Sequence, residues 1–214
     1  MDPRPNPNTN RLKRIAGSTI EIRLLAADRE FLRDLARVNL LSSDHAAKYH
    51  YPHLKGGATR SLNRLEAAGL VESKTLRITG RPPVKTYQFS SRAMARAWGG
   101  SLPITGAKRN DLHELISSDL YFKLDRPADF RLAADFSEAD ISAVGGCRPD
   151  ALYTDTSTGE LVVVEADSGH YTKHQILKKI AAWESVGLSR FVWGQPQYAT
   201  ARIPALNNIS LYRF

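Results

Sequence analysis

Apolar positions recur at helical spacing in the first third of the chain. Asp28 to Arg37 carries Phe31, Leu32, Leu35 and Ala36 on one face, with Asp28 as the predicted N-cap. Leu41-Ser42-Ser43-Asp44 offers a second cap, and the helix that follows, with Ala46, Ala47 and Tyr49, stops at Pro52. Gly56-Gly57 predicts a turn. A third helix runs from Ala58 to Leu70, with Leu62 and Leu65 inward and Gly69 as its C-terminal stop. The pattern then changes to strands over 71–78 and 84–89, joined by the turn Thr79-Gly80-Arg81-Pro82-Pro83. A short helix over 90–97 and a Gly99-Gly100-Ser101 linker follow. Beyond it the pattern predicts a helix over 111–122, capped by Asp111, with Leu112, Leu115, Ile116 and Leu120 buried. Strands are predicted over 130–134, 151–154 and 161–165, a helix over 171–186, and closing strands over 190–193 and 209–212. Thr156 to Gly159 forms a hairpin turn between the second and third of those strands.

Helix, three strands, helix, strand is the plan of an α/β sandwich. The whole chain is therefore expected to be α+β, with a helical and hairpin part at 28–98 and a small α/β core at 99–214. Residues 1–27, rich in Pro and Asn at the start and basic after it, are expected to be a flexible arm.

Charge sharpens this division. Residues 1–100 hold 18 Lys and Arg against 8 Asp and Glu, a net +10, and residues 101–214 hold 12 against 14, a net −2. The positive excess belongs to the first half, which points it at a polyanion. Three helices followed by a hairpin resemble a winged helix-turn-helix. On its third helix Thr59, Arg60, Asn63 and Arg64 point away from Leu62 and Leu65. Arg and Asn are the side chains that bond guanine and adenine edges in pairs. Lys74, Arg77, Arg81 and Lys85 on the hairpin are the expected phosphate contacts. The bland counterpart is a winged helix that docks a protein.

Other classes are excluded. A single cysteine, Cys147, rules out a disulfide framework and a Cys-based zinc cluster. No apolar run approaches the length of a membrane span, and Met1 to Pro7 carries no secretory signal, so a cytoplasmic protein without a membrane partner is expected.

The second half concentrates its carboxylates. Asp150 opens one strand, and Glu165 and Asp167 end the next. Hairpin pairing brings Asp150 towards Glu165, and two-residue alternation puts Glu165 and Asp167 on one face. Three such charges repel unless a cation lies between them, and an all-oxygen site favours Mg²⁺ or Mn²⁺. Lys179 lies four residues after Gln175 on one face of the following helix, with Lys173 and Lys178 as neighbours. Glu114 is a candidate fourth carboxylate or an ordinary capping residue. His170 follows the carboxylate strand and is a candidate acid, base or phosphate contact, or a plain turn residue. His113 and His174 carry the same ambiguity, and nothing selects Tyr171 or Tyr121 over water as a nucleophile.

Pro149-Asp150, a turn, and Glu165-Ala166-Asp167 after an apolar strand are similar to the PD-(D/E)XK nuclease core. More narrowly, Arg148-Pro149-Asp150-Ala151, Val164-Glu165-Ala166-Asp167-Ser168-Gly169, Gln175 and Lys179 resemble the plasmid replication-relaxation family of MOBC-type relaxases. The resemblance implies a winged helix joined to a nuclease core, and a protein that nicks plasmid or mobile-element DNA, with a relaxosome accessory protein as a possible partner. It implies Asp150, Glu165 and Asp167 as metal ligands, with Lys179 and Gln175 assisting catalysis. Asp167 stands where the wider nuclease signature has lysine. That departure keeps open a non-catalytic DNA-binding regulator with a degenerate core, and a restriction-like enzyme cutting both strands is the third reading.

Overall fold

The computed structural model describes residues 22–53, 56–78, 81–100, 110–199, 203 and 208–214. The expected basic arm, apart from 22–27, lies outside the described residues, as do Thr79, Gly80 and Ser101 of the expected turn and linker. The described residues form a mixed α+β structure with two sheets. Among the described residues no helix is long and apolar enough to cross a membrane.

The first half contains α1 (Ala26–Val38), β1 (Leu41–Ser42) and α2 (Ser43–His45), which runs on as one π-helical turn, Ala46–His50. Next come α3 (Gly57–Ala67), β2 (Val71–Leu76), β3 (Val84–Phe89) and α4 (Arg92–Ala97). Each boundary has a local cause. Ser42 Oγ accepts the His45 amide at 3.0 Å, and His45 Nδ1 accepts the Ser42 amide in return. Gly69, with φ +69°, ends α3: the Leu70 amide returns to the Leu65 carbonyl and the Gly69 amide to that of Glu66. The antiparallel pairs Val71↔Phe89 through Leu76↔Val84 form the hairpin, and the two-residue β1 adds to the free edge of β3. That third strand is absent from the sequence reading, since two residues carry no alternation to see.

Asp28 departs from expectation. Leu25 takes the N-cap position, and Asp28 lies inside the first turn, fully buried. Its carboxylate accepts the Leu25 amide at 2.7 Å and the Tyr51 hydroxyl at 2.9 Å, and it pairs with Arg64 of α3. A buried carboxylate needs such partners, so Asp28 ties three helices together rather than ending one.

The second half runs α5 (Asp111–Lys123), β4 (Arg131–Leu132), a 3₁₀ turn (Ala133–Asp135), α6 (Glu138–Ala143), β5 (Ala151–Thr154), β6 (Leu161–Ala166), α7 (Lys173–Glu184), β7 (Arg190–Gln195) and β8 (Ile209–Arg213). The sheet order is β4-β5-β6-β7-β8, with β4, β5 and β6 antiparallel and β6, β7 and β8 parallel. Asn110, not Asp111, caps α5 by accepting the His113 amide, which leaves Asp111 to pair with Lys74 of β2. The strand expected over 130–134 shrinks to two residues because Ala133 turns into the 3₁₀ segment. Helix α6 was not expected, although Ser137 and Asp140 cap it reciprocally.

Two helices sandwich this sheet. Ile176, Ile180 and Trp183 of α7 pack with Leu152, Val163, Phe191 and Trp193. On the opposite face, Ile116 and Leu120 of α5 join Ala151, Val162, Val164 and Val192. That second cluster also contains Phe31, Leu35, Leu62, Leu65, Tyr87 and Phe89, so one apolar core runs through both halves of the chain.

Candidate active site

The carboxyl end of β6 is where charge and burial collide. Ala151 pairs with Val164 in the β5–β6 hairpin, which sets Asp150 beside the last residues of β6. Its Oδ2 accepts the Ala166 amide at 2.8 Å, leaving Oδ1 to meet His113 Nε2 at 2.8 Å. Glu165, one residue back, is 0% exposed and its carboxylate pairs with the Lys179 ammonium from α7. Glu165 Oε2 is buried without a hydrogen-bond partner among the described residues. Lys179 also lies over the Tyr171 ring, 4.8 Å from its centre.

Electrostatics follow from this packing. Burial, then the Asp150 charge, lifts the Glu165 carboxyl to about 8. Burial works to lower Lys179, yet Glu165, Tyr171 and Asp150 hold its ammonium above the ordinary lysine range. Burial likewise opposes protonation of His113, and Asp150, Glu165 and Glu114 outweigh it, raising its pKa. Burial and the Glu165 charge push the Tyr171 phenol well above its usual value. Two carboxylates, Asp150 and Glu165, thus meet two protein bases, His113 and Lys179, that favour their charged forms.

Asp167 is used differently from the expectation. Its Oδ1 accepts the amides of Gly169, His170 and Tyr171, at 2.7, 3.2 and 3.4 Å, and its Oδ2 accepts Gln195 Nε2 at 2.7 Å. With both oxygens spent on the loop and on β7, it builds the turn that swings Tyr171 and α7 back over Glu165. Gln175 caps α7: its Oε1 accepts the Thr172 amide at 2.8 Å and hydroxyl at 3.0 Å. Among the described residues no three of His, Cys, Asp and Glu are arranged to hold a metal ion. Glu165 keeps one buried carboxylate oxygen without a hydrogen-bond partner, whereas both Asp150 oxygens have partners, the Ala166 amide and His113.

Of the other candidates, Glu114 lies beside the pocket in the first turn of α5, close enough to act on His113. His170, Lys173, His174 and Lys178 are exposed. Tyr121 is elsewhere, its hydroxyl donating to Asp34 in the core. His113 is the histidine that reaches Asp150, whereas the sequence left His113, His170 and His174 equally open. The usable signal was that 113 falls in the first turn of an amphipathic helix bound to pack on the sheet. Asn110 Nδ2 donates to Ser168 Oγ at 2.9 Å and anchors that turn.

The basic half divides its candidates in two. Thr59, Arg60 and Asn63 on α3 are exposed, as are Arg77 and Arg81 on the hairpin. Arg64, Lys74 and Lys85 are partly buried and paired, with Asp28, with Asp111 and, at 3.4 Å, with Glu66. Arg64 therefore does not project outward with its neighbours; the fully buried Asp28 draws it in.

Compared with known proteins, the chain matches no protein-family model and no curated protein.

Proposed function

We propose that the protein binds duplex DNA through a winged helix at 28–98 and nicks one strand with a Mg²⁺- or Mn²⁺-dependent site in a PD-(D/E)XK-like core at 99–214. The carrying observation is the convergence of Asp150, Glu165 and Lys179 at the carboxyl end of β6. That is the end of parallel strands where α/β sheets characteristically bind ligands. The outward α3 set of Thr59, Arg60 and Asn63, with Arg77 and Arg81 on the hairpin, supports the DNA-binding half.

Two carboxylates are enough for the metal, because Mg²⁺ is commonly held by one or two of them with waters and substrate phosphates completing its shell. When bound, such a cation supplies charge stabilisation at the phosphate and acidifies a water. The chain's own groups do the rest. Lys179 would face a non-bridging phosphate oxygen once the phosphate competes with Glu165 for its ammonium, Tyr171 steadies that ammonium, and His113 orients Asp150. The raised Tyr171 phenol argues for water as the nucleophile. Plasmid or mobile-element DNA as the substrate rests on the motif resemblance.

One observation favours a non-catalytic DNA-binding regulator as the second reading: each carboxylate already faces a protein base, Glu165 Lys179 and Asp150 His113. Supercoiled plasmid incubated with Mg²⁺ or Mn²⁺ separates the two. Open circles from the wild type and none from Glu165→Ala support the nicking enzyme. DNA bound but never cut with either metal refutes it in favour of the regulator, and linear product indicates cutting of both strands.

A further inference from the structure

Helix α5 is gripped from both sides. Towards the first half, Ser118 donates to the Leu40 carbonyl and Tyr121 donates to Asp34 Oδ1 at 2.9 Å. Phe122 stacks on Tyr49 with ring centres 4.2 Å apart and planes within 8°, and Asp119 Oδ1 meets His45 Nε2 at 2.8 Å. Towards the sheet, Ile116 and Leu120 lie so close over Gly194 that a Cβ there would come within 2.7 Å of one and 2.9 Å of the other. At its first turn His113 bonds Asp150 and Asn110 bonds Ser168. Hinges between domains form where packing is sparse and exposed. Here the junction is a buried helix shared by one continuous core.

We infer that α5 fixes the spacing between the duplex sequence engaged by α3 and the phosphate met by the Asp150–Glu165 pocket. The strand is then engaged at one constant offset from the bound sequence, whatever bases lie at that point. This rests on the reading of α3 and of the pocket given above. A tethered second domain would instead sample a range of offsets, since a flexible linker spreads its end-to-end distance.

The test needs binding but not catalysis. His170 is exposed, and its amide bonds Asp167, two residues beyond Glu165. A Cys147→Ser, His170→Cys chain labelled with an iron chelate is bound to duplexes selected by the full-length protein from a random-core library. Hydroxyl-radical breaks are then mapped on each strand. The expected result is one window of about six nucleotides, ~20 Å of strand at ~3.4 Å per nucleotide, at an unchanged distance from the selected sequence when the flanks are replaced. Labelling the native Cys147 instead gives a second anchor with its own constant offset. Phe122→Ala, with helical content verified, widens the window at least about twofold, while Leu177→Ala on the exposed face of α7 leaves it unchanged. Breaks spread over a full turn of duplex, ~10 base pairs, or a window that moves with the flanks, overturn the inference. Failure to select any duplex overturns it together with the DNA-binding reading. A narrow window from a protein that never nicks plasmid keeps the fixed spacing and removes only the cutting.

Discussion

Replacing Lys179 by Met removes the ammonium that touches a fully buried carboxylate. Glu165 is 0% exposed and Lys179 19%. Burial and the Asp150 charge raise the Glu165 carboxyl, and it stands at about 8 even with the Lys179 ammonium pulling it down. Losing one partner of a buried pair costs about 3–5 kcal/mol, because the remaining charge stays unpaired or must take up a proton. For a chain of this size that is a fall in Tm of about 6–20 °C. Adding Glu165→Gln to Lys179→Met removes the stranded charge, so the double variant should recover about 2–3 kcal/mol of the loss. The pH dependence has a definite sign. A carboxyl raised in the folded state stabilises below its unfolded pKa, and that contribution is lost as pH climbs through the folded value. Without Lys179 the folded value rises further, so the deficit of Lys179→Met is smaller at pH 6 than at pH 9. Urea unfolding at both pH values, with m unchanged, measures this. Single and double variants of equal stability, or a deficit that shrinks with rising pH, would refute the pairing.

Three further outcomes are expected. His50 is buried, and burial, then the Arg126 and His45 charges, lowers its pKa from 6.5 to about 4. Folded His50 therefore resists protonation, and up to about 3 kcal/mol of stability is lost as pH falls from 6.5 to 4, partly offset by the raised Asp34 carboxyl. His50→Gln flattens that slope in acid titrations followed by circular dichroism. Gly194→Ala drives a methyl group against Ile116 and Leu120 and destabilises by about 1–3 kcal/mol in thermal melts. Tyr171→Phe retains plasmid nicking, and nicked wild-type DNA carries no protein on its 5′ end after phenol extraction; a covalent adduct lost in Tyr171→Phe would reverse the assignment of water.

Local pattern carried much of the fold. Periodicity located α1, α3, α5 and α7, and the apolar pattern located the hairpin strands expected over 71–78 and 84–89, the first of which ends at Leu76, and strands of the larger sheet, because a buried face leaves a repeat in the sequence. Gly69 marked the end of α3 for a reason visible in one residue, the left-handed turn that only glycine takes without strain. The same logic brought Asp150 and Glu165 together, since their registers follow from a short hairpin. It failed where the signal was brief, at the two-residue β1 and at α6, and where two neighbours competed for a cap, as with Asp111 and Asn110.

What the sequence determined by itself is therefore local: element type, the charge imbalance between halves, and carboxylates at the end of one strand. Only the tertiary structure decided which partners those charges take. Asp28 turns from a cap into a buried partner of Arg64, Asp167 from a candidate ligand into the clamp of its own loop, and His113 rather than His170 reaches Asp150. Pairings across 36 or 37 residues leave no periodic trace. They are settled by desolvation, which forces each buried carboxylate to find whatever donor the packed helices bring within reach.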